Sequence, residues 1–275
     1  MKKTTSDFPY VHGFSVDEQE RLRQQARFTE HSIYHDLDFT GCEHLLEVGC
    51  GVGAQTEILL RRFPHLKITG IDKSKKQLQA ARAHLKSLPW TAGRTKLEEE
   101  DATQMGFKAK SFDGAFLCWV LEHMSDPSKV LSEVRRVLKP GGMIVVNEVM
   151  NSSFFLDPYS PATWQYWMAF NDYQNDIGGD PFIGMKLGNL LLSQGFSSIQ
   201  TKAKTWHYDN RTPDKRKEFI DFWSSLLLSA ADQLIKTNYV SQEVVTKMKD
   251  ELKLVANDPN AVFHFTFMQA YARVY

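Results

Sequence analysis

The stretch Leu45-Leu46-Glu47-Val48-Gly49-Cys50-Gly51-Val52-Gly53-Ala54-Gln55-Thr56 constrains this chain more than any other. A short apolar run, of the kind that makes a buried strand, breaks into closely spaced glycines. It then opens an amphipathic helix carrying Ile58, Leu59 and Phe63. Strand, glycine turn and helix together predict a nucleotide-binding turn. Glycine lets the backbone approach a ligand where a Cβ would stand in the way, and the helix N-terminus points N–H groups at that ligand.

The residues around the turn narrow the ligand. Gly49, Gly51 and Ala54 fit G-x-G-x-x-A, the dinucleotide fingerprint. Asp72 closes the next apolar run, where an acid accepts from ribose hydroxyls. Both features are common to several nucleoside cofactors. Glu47, at the strand tip two residues before Gly49, would repel a pyrophosphate and suits a cationic ligand.

Onward from the turn, strand runs alternate with helical periods. His44–Val48, Lys67–Ile71, Lys96–Glu99, Asp113–Cys118 and Met143–Met150 read as strands 1 to 5. The last is a near-continuous β-branched run, expected of a strand covered on both faces. Between them lie a helix over Ala54–Phe63, one opened by Ser74 and Gln77 with Leu78, Ala81 and Leu85 on one face, and one from Asp126-Pro127 to Lys139-Pro140-Gly141-Gly142. Such alternation predicts a parallel, doubly wound α/β sheet. Ligands bind these sheets at the carboxyl ends of the strands, where Gly49, Asp72, Asp101 and Cys118 all fall.

The flanking segments divide as follows. Residues 1–40 carry the capping box Ser15/Glu18 and a helix running toward His31, either a surface helix or a flap over the ligand site. Residues 41–150 are the ligand-binding core. Residues 151–211 open with an unusually aromatic stretch over 153–173, read as the wall or lid of an apolar pocket. A helix over Pro181–Gln194 and a sixth strand over Phe196–Trp206 follow. Residues 212–260 form a helical insert of two helices, one with Phe219, Ile220, Trp223 and Leu227 at helical spacing, the other with Val244, Val245, Met248 and Leu252. Residues 261–275 alternate and predict a final strand, antiparallel at the sheet edge.

Glu47-Val-Gly-Cys-Gly-Val-Gly53, Gly70-Ile-Asp72, Asp101-Ala102 and Trp119-Val-Leu-Glu-His123 through Leu138-Lys-Pro-Gly-Gly142 resemble, in order and spacing, class I S-adenosylmethionine-dependent methyltransferases. The resemblance covers residues 40–150 and is to the UbiE-like, small-molecule type. Gly179-Asp-Pro-Phe-Ile-Gly184 and Leu191-Leu-Ser-Gln-Gly195-Phe196 also resemble members of that group.

The resemblance implies a Rossmann-like, doubly wound, seven-stranded mixed sheet with helices on both faces and a helical cap. It implies S-adenosyl-L-methionine as cofactor and S-adenosyl-L-homocysteine as product; the ammonium and sulfonium of the former would suit Glu47. By resemblance, Glu47, Gly49, Gly51 and Gly53 hold the methionine and ribose end. Asp72 takes the ribose hydroxyls, Asp101 with Ala102 takes the adenine, and Cys118 and Trp119 lie beside the methionine portion. Tyr10 and Gln25 are candidate contacts from the N-terminal segment, and Gln77 is either a helix cap or a cofactor contact. His123 is a candidate general base or a packing group. Tyr159, Trp164, Tyr166 and Trp167 are candidates for packing the methyl acceptor.

Charge and cysteine usage trim the alternatives. Lys+Arg and Asp+Glu are both 33, so the formal net charge is zero. Phosphate binding normally leaves a basic footprint, so a nucleic-acid substrate is not expected. Cys42, Cys50 and Cys118 make neither a metal spacing nor a disulfide framework, which fits a reducing cytoplasm. Met1-Lys-Lys leads into a polar stretch rather than a signal peptide, and no apolar run reaches about 18 residues. No Asn-Pro-Pro-Tyr-like motif follows strand 4, and Cys118 is not in a Pro-Cys pair. The expectation is a cytoplasmic enzyme, monomer or homodimer, that methylates a small aromatic or apolar acceptor without a metal. The alternatives are an RNA or protein methyltransferase, a non-catalytic S-adenosylmethionine-binding protein and an NAD-dependent dehydrogenase.

Overall fold

A computed structural model describes residues 11–275. Tyr10, a candidate cofactor contact, lies outside the described residues.

The chain opens with α1 (Val16–Tyr34), whose first turn is capped by Ser15 accepting from the Glu18 N–H at 3.0 Å. Only half of the expected box forms, because the Glu18 carboxylate turns to Arg21, 2.6 Å away. The core then alternates as its sequence pattern requires. It runs β1 (His44–Val48), α2 (Ala54–Arg62), β2 (Lys67–Asp72), α3 (Lys75–Lys86), β3 (Thr95–Glu99), β4 (Phe112–Cys118), α4 (Pro127–Val137) and β5 (Leu138–Val149). Strand β5 starts directly from α4, earlier than the stop signal at Lys139–Gly142 suggests. Gly142 permits this: a Cβ there would stand 2.8 Å from the Lys139 carbonyl.

Beyond the core come β6 (Phe155–Asp157), α5 (Pro161–Asp176), α6 (Leu187–Ser193), β7 (Ser197–Tyr208), α7 (Pro213–Ser229), α8 (Ala231–Lys236), α9 (Gln242–Asn257) and β8 (Val262–Arg273). The predicted helix over Pro181–Gln194 is a single 3-10 turn, Ile183–Lys186, followed by the short α6. The insert holds three helices rather than two, because the first breaks at Ala230.

Among the described residues the sheet has eight strands, in the order β3-β2-β1-β4-β5-β8-β6, with β7 also paired to β8. The first five are parallel, and β8 runs antiparallel to β5. The extra strand over the expected seven is the three-residue β6. The final strand is not at the edge. Its Phe267–Arg273 half pairs with β5 and its Val262–His264 end with β6, while β7 runs along nearly its whole length.

Alternate residues of the core strands enter opposite hydrophobic layers, as the two-residue period of a strand dictates. Leu45, Phe116 and Val145 face the layer built by α1, α2, α5 and the insert. Leu46, Leu117 and Val146 face the layer of α4 and α6. The sheet is thus covered on both faces, and its exposed functional surface is the row of strand C-termini. No helix among the described residues is long and apolar enough to cross a membrane.

Candidate active site

Strand β1 delivers the glycine turn to this carboxyl edge. Gly49 and Gly51 adopt φ of +69° and +50°, the left-handed region that suits glycine. A Cβ on Gly49 would lie 2.6 Å from Val120 Cγ2, so that position is fixed by packing. A Cβ on Gly51 would meet nothing nearer than the Gly49 carbonyl at 4.0 Å. It would stand instead in the cavity that Gly51 helps to line. Gly53 caps α2 and packs against Ala81 rather than facing the cavity.

Asp72 at the tip of β2 holds the turn in place. One carboxylate oxygen accepts from the Gly51 N–H at 2.9 Å, the other from the Ser74 N–H at 2.8 Å. Burial pushes its pKa up, while these two bonds pull it down.

The cavity in front of the turn has a volume of about 1100 Å³. Its polar half is walled by the tips of β1, β2 and β3 and the first turn of α3, including Asp72, Gln77, Asp101 and Ala102. Asp101 accepts from the Thr103 hydroxyl at 2.7 Å and from Lys73 at 3.3 Å, and the Thr103 bond leads in holding its carboxyl below the usual range. Gln77 donates its backbone N–H to Ser74 Oγ at 3.3 Å. Its side chain does not close the box but accepts from Gln19 at 3.0 Å, tying α3 to α1. Gln25 of α1 accepts from Arg21 at 2.7 Å, and both line the cavity.

The other half is apolar. Trp119, at the tip of β4, contributes to it with a left-handed backbone at φ +55°. Trp167 and Phe170 of α5 stack with ring centroids 5.6 Å apart, and Trp206 of β7 stacks on Phe265 of β8 at 5.9 Å. Trp223 and Leu226 of α7 close the wall. Trp223 is almost fully buried, and its indole N–H has no hydrogen-bond partner among the described residues.

Several expected site residues fall elsewhere. Glu47 does not line the cavity; it lies behind the turn and accepts from the Thr56 hydroxyl at 2.6 Å. Burial pushes its carboxyl up to about 8, so it is largely protonated at neutral pH. The charge repulsion expected between Glu47 and a pyrophosphate therefore does not operate there. Of the four aromatic candidates, only Trp167 reaches the cavity. Tyr159 precedes α5 and is 75 % exposed. Tyr166 is one residue, or 100°, around the helix from Trp167, and its hydroxyl donates to the Leu227 carbonyl at 2.5 Å. Trp164 lies one turn earlier and packs against Phe154 at 5.3 Å.

The β4 loop brings Cys118, Glu122 and His123 to the cavity. Burial raises the Cys118 thiol well above its usual range, which makes it a poor nucleophile. His123 sits 3.8 Å from the Glu122 carboxylate, and burial holds its pKa below the ordinary histidine value. Glu148 of β5 is fully buried beneath this loop and accepts from the N–H groups of Val120, Leu121 and Glu122 at 3.0, 2.7 and 3.3 Å. Phe170 falls within the aromatic stretch read as a pocket wall, whereas Glu148, Trp206, Trp223, Leu226 and Phe265 are not singled out by the sequence as site residues. Phe222 and Leu226 did leave a trace, a second apolar stripe on α7 beside Phe219, Trp223 and Leu227.

A family model described as a methyltransferase domain matches residues 46–146. The chain is 33 % identical over 159 residues to the O-methyltransferase cnsE of Penicillium expansum, covering 57 % of this chain and 53 % of that protein. It is 36 % identical over 130 residues to the demethylmenaquinone methyltransferase of Thermotoga maritima, covering 46 % and 54 %. The chain thus spans about half the length of the curated relatives it matches.

Among solved structures, phosphoethanolamine N-methyltransferase 2 of Haemonchus contortus in complex with S-adenosyl-L-methionine has a TM-score of 0.59 at 17 % identity, covering 100 % of this chain and 62 % of that one. The [4+2]-cyclase SpnF has a TM-score of 0.54 at 22 % identity, covering 98 % and 85 %. At such identities these structures speak to the fold alone. A doubly wound sheet with a glycine turn at the tip of β1 and an acid at the tip of β2 defines a nucleoside-cofactor protein. Over residues 46–146 the chain is similar to a methyltransferase domain, and its curated relatives include an O-methyltransferase and a demethylmenaquinone methyltransferase.

Proposed function

We propose that this protein transfers a methyl group from S-adenosyl-L-methionine to a small aromatic or apolar acceptor. The observation that carries the reading is the continuity of one cavity, from the glycine turn and Asp72 to the wall of Trp167, Trp206, Trp223 and Phe265. The residues present fit the cofactor: Gly51 leaves room where a side chain would intrude, and Asp72, Asp101 and Ala102 supply acceptors and an apolar face. When bound, the cofactor supplies an electrophilic methyl group on sulfonium sulfur.

The chain's own contribution is orientation. Glycine turn and aromatic wall would hold the two partners in line, worth about 7–11 kcal/mol in favourable systems. The apolar wall excludes water from the transfer path. His123 lines the cavity and burial lowers its pKa, so in this reading it would accept a proton from a hydroxyl acceptor. A reducing, cytoplasmic setting suits the three free thiols.

The fold by itself does not guarantee methyl transfer, since a [4+2]-cyclase shares it. The test is incubation with S-adenosyl-L-methionine and a panel of aromatic alcohols and amines, reading S-adenosyl-L-homocysteine release and acceptor mass together. Stoichiometric S-adenosyl-L-homocysteine with gain of one methyl group on the acceptor supports the reading. Tight cofactor binding without methylation of any small molecule, but with methylation of RNA or protein, would overturn it.

A further inference from the structure

The loop that follows β4 leaves the strand in a conformation its sequence does not favour. Trp119 is left-handed, at φ +55°, which a bulky side chain holds only when its surroundings impose it. Its N–H still donates to the Asn147 carbonyl of β5 at 2.9 Å. A single 3-10 turn, Leu121–His123, follows. The N–H groups that open such a turn find no partner within it. Here the N–H groups of Val120, Leu121 and Glu122 all donate to one carboxylate, that of Glu148 on β5. Oxygen Oε1 takes the first two and Oε2 the third. Glu148 is fully buried and does not line the cavity, so it acts on a ligand only through this loop.

What the loop carries gives that restraint a consequence. Trp119 lines the cavity, its ring 6.4 Å from that of Trp206 in the apolar wall. Val120 fills the space beside Gly49 that a Cβ there would need, so it backs the glycine turn. Glu122 and His123 also line the cavity. Glycine turn and aromatic wall thus both lean on one short loop. We propose that Glu148 is a positioning residue: by capping this loop it holds Trp119 in left-handed backbone and keeps the glycine turn in register with the aromatic wall. This rests on the methyltransferase reading above and names what aligns the two ends of that same cavity.

Variants of the full chain test it. Glu148→Gln matches the carboxylate in shape but has one acceptor oxygen, so at least one of the three N–H groups loses its partner. Glu148→Leu has no acceptor at all. Amide hydrogen exchange should be faster at residues 120–122 in Glu148→Gln and unchanged in β1 and β2. Affinity for S-adenosyl-L-homocysteine, by calorimetry, should fall roughly tenfold in Glu148→Gln and further in Glu148→Leu. Glu251→Ala, which removes a carboxylate bonded to the first turn of α5, is the control for lost stability alone and should keep wild-type affinity. Glycine adopts φ +55° without restraint, so Glu148→Gln should lower the melting temperature less in a Trp119→Gly background than in the wild type. Unchanged exchange at residues 120–122, or unchanged affinity in Glu148→Gln despite faster exchange, overturns the proposal. So does an equal loss of affinity in Glu251→Ala, or the same drop in melting temperature in both backgrounds. Failure of the wild type to bind S-adenosyl-L-homocysteine is instead a failure of the methyltransferase reading, and the exchange and melting comparisons then decide alone whether Glu148 restrains the loop.

Discussion

Glu47 is 2 % exposed within the sheet, where water cannot solvate its charge, and its carboxyl is pushed up to about 8. A folded-state pKa raised above the unfolded value near 4.5 means that the folded chain holds this proton more tightly. Its contribution to stability is full below about 4.5 and is lost as pH rises through about 8. Glu47→Gln keeps an oxygen to accept from Thr56 and cannot titrate. Denaturant melts at several pH values should show the variant gaining on the wild type between those limits, by up to about 1.4 kcal/mol per pH unit. Parallel stability curves would mean that Glu47 is ionised in the fold. Gly51→Ala should fold, at a cost of about 1 kcal/mol for a side chain in left-handed backbone. It should bind S-adenosyl-L-homocysteine more than about tenfold weaker by calorimetry, because the methyl group enters the cavity. Unchanged affinity would place the cofactor elsewhere.

Helix α5 carries Trp167 and Phe170 of the apolar wall, and its first turn is held from another element. The Glu251 carboxylate on α9 accepts from the Ala162 and Thr163 N–H groups at 2.9 and 2.7 Å, acting as a remote N-cap. Glu251→Ala should therefore destabilise the protein by about 1–2 kcal/mol in a thermal melt. It should weaken acceptor binding while leaving S-adenosyl-L-homocysteine affinity unchanged, because the glycine turn belongs to different elements. Equal loss of both would show that the two halves are not separable.

The same division explains what the sequence made legible. Strands β1 to β4, the glycine turn and the acid of β2 are local patterns: an apolar run, a glycine spacing, a residue at a strand end. The acceptor wall is not local. Trp206, Trp223 and Phe265 meet only because β8 inserts between β5 and β7 and carries the insert back over the sheet. No periodicity within one element reports that pairing. Tyr159, Trp164 and Tyr166 show the converse error, since aromatic density along a helix does not say which 100° step faces the cavity. Strand β6 and helix α8, of three and six residues, are too short to show a period at all.

At the level of the whole molecule, the sheet places the glycine turn and its acids, and α5, α7, β7 and β8 place the apolar wall, with residues of the segment from His12 to Gln25 lining the same cavity. The cavity they enclose includes Trp119, Trp167, Trp206 and Trp223, four of the six tryptophans in the chain. Everything proposed for that cavity depends on which nucleoside cofactor its glycine end accepts. The direct test is calorimetric titration of the full chain with S-adenosyl-L-methionine, S-adenosyl-L-homocysteine and NAD(H), beside an Asp72→Ala variant. The account predicts micromolar binding of both S-adenosyl compounds, lost in the variant, and no heat from NAD(H). Binding of NAD(H), or of none of the three, would contradict it.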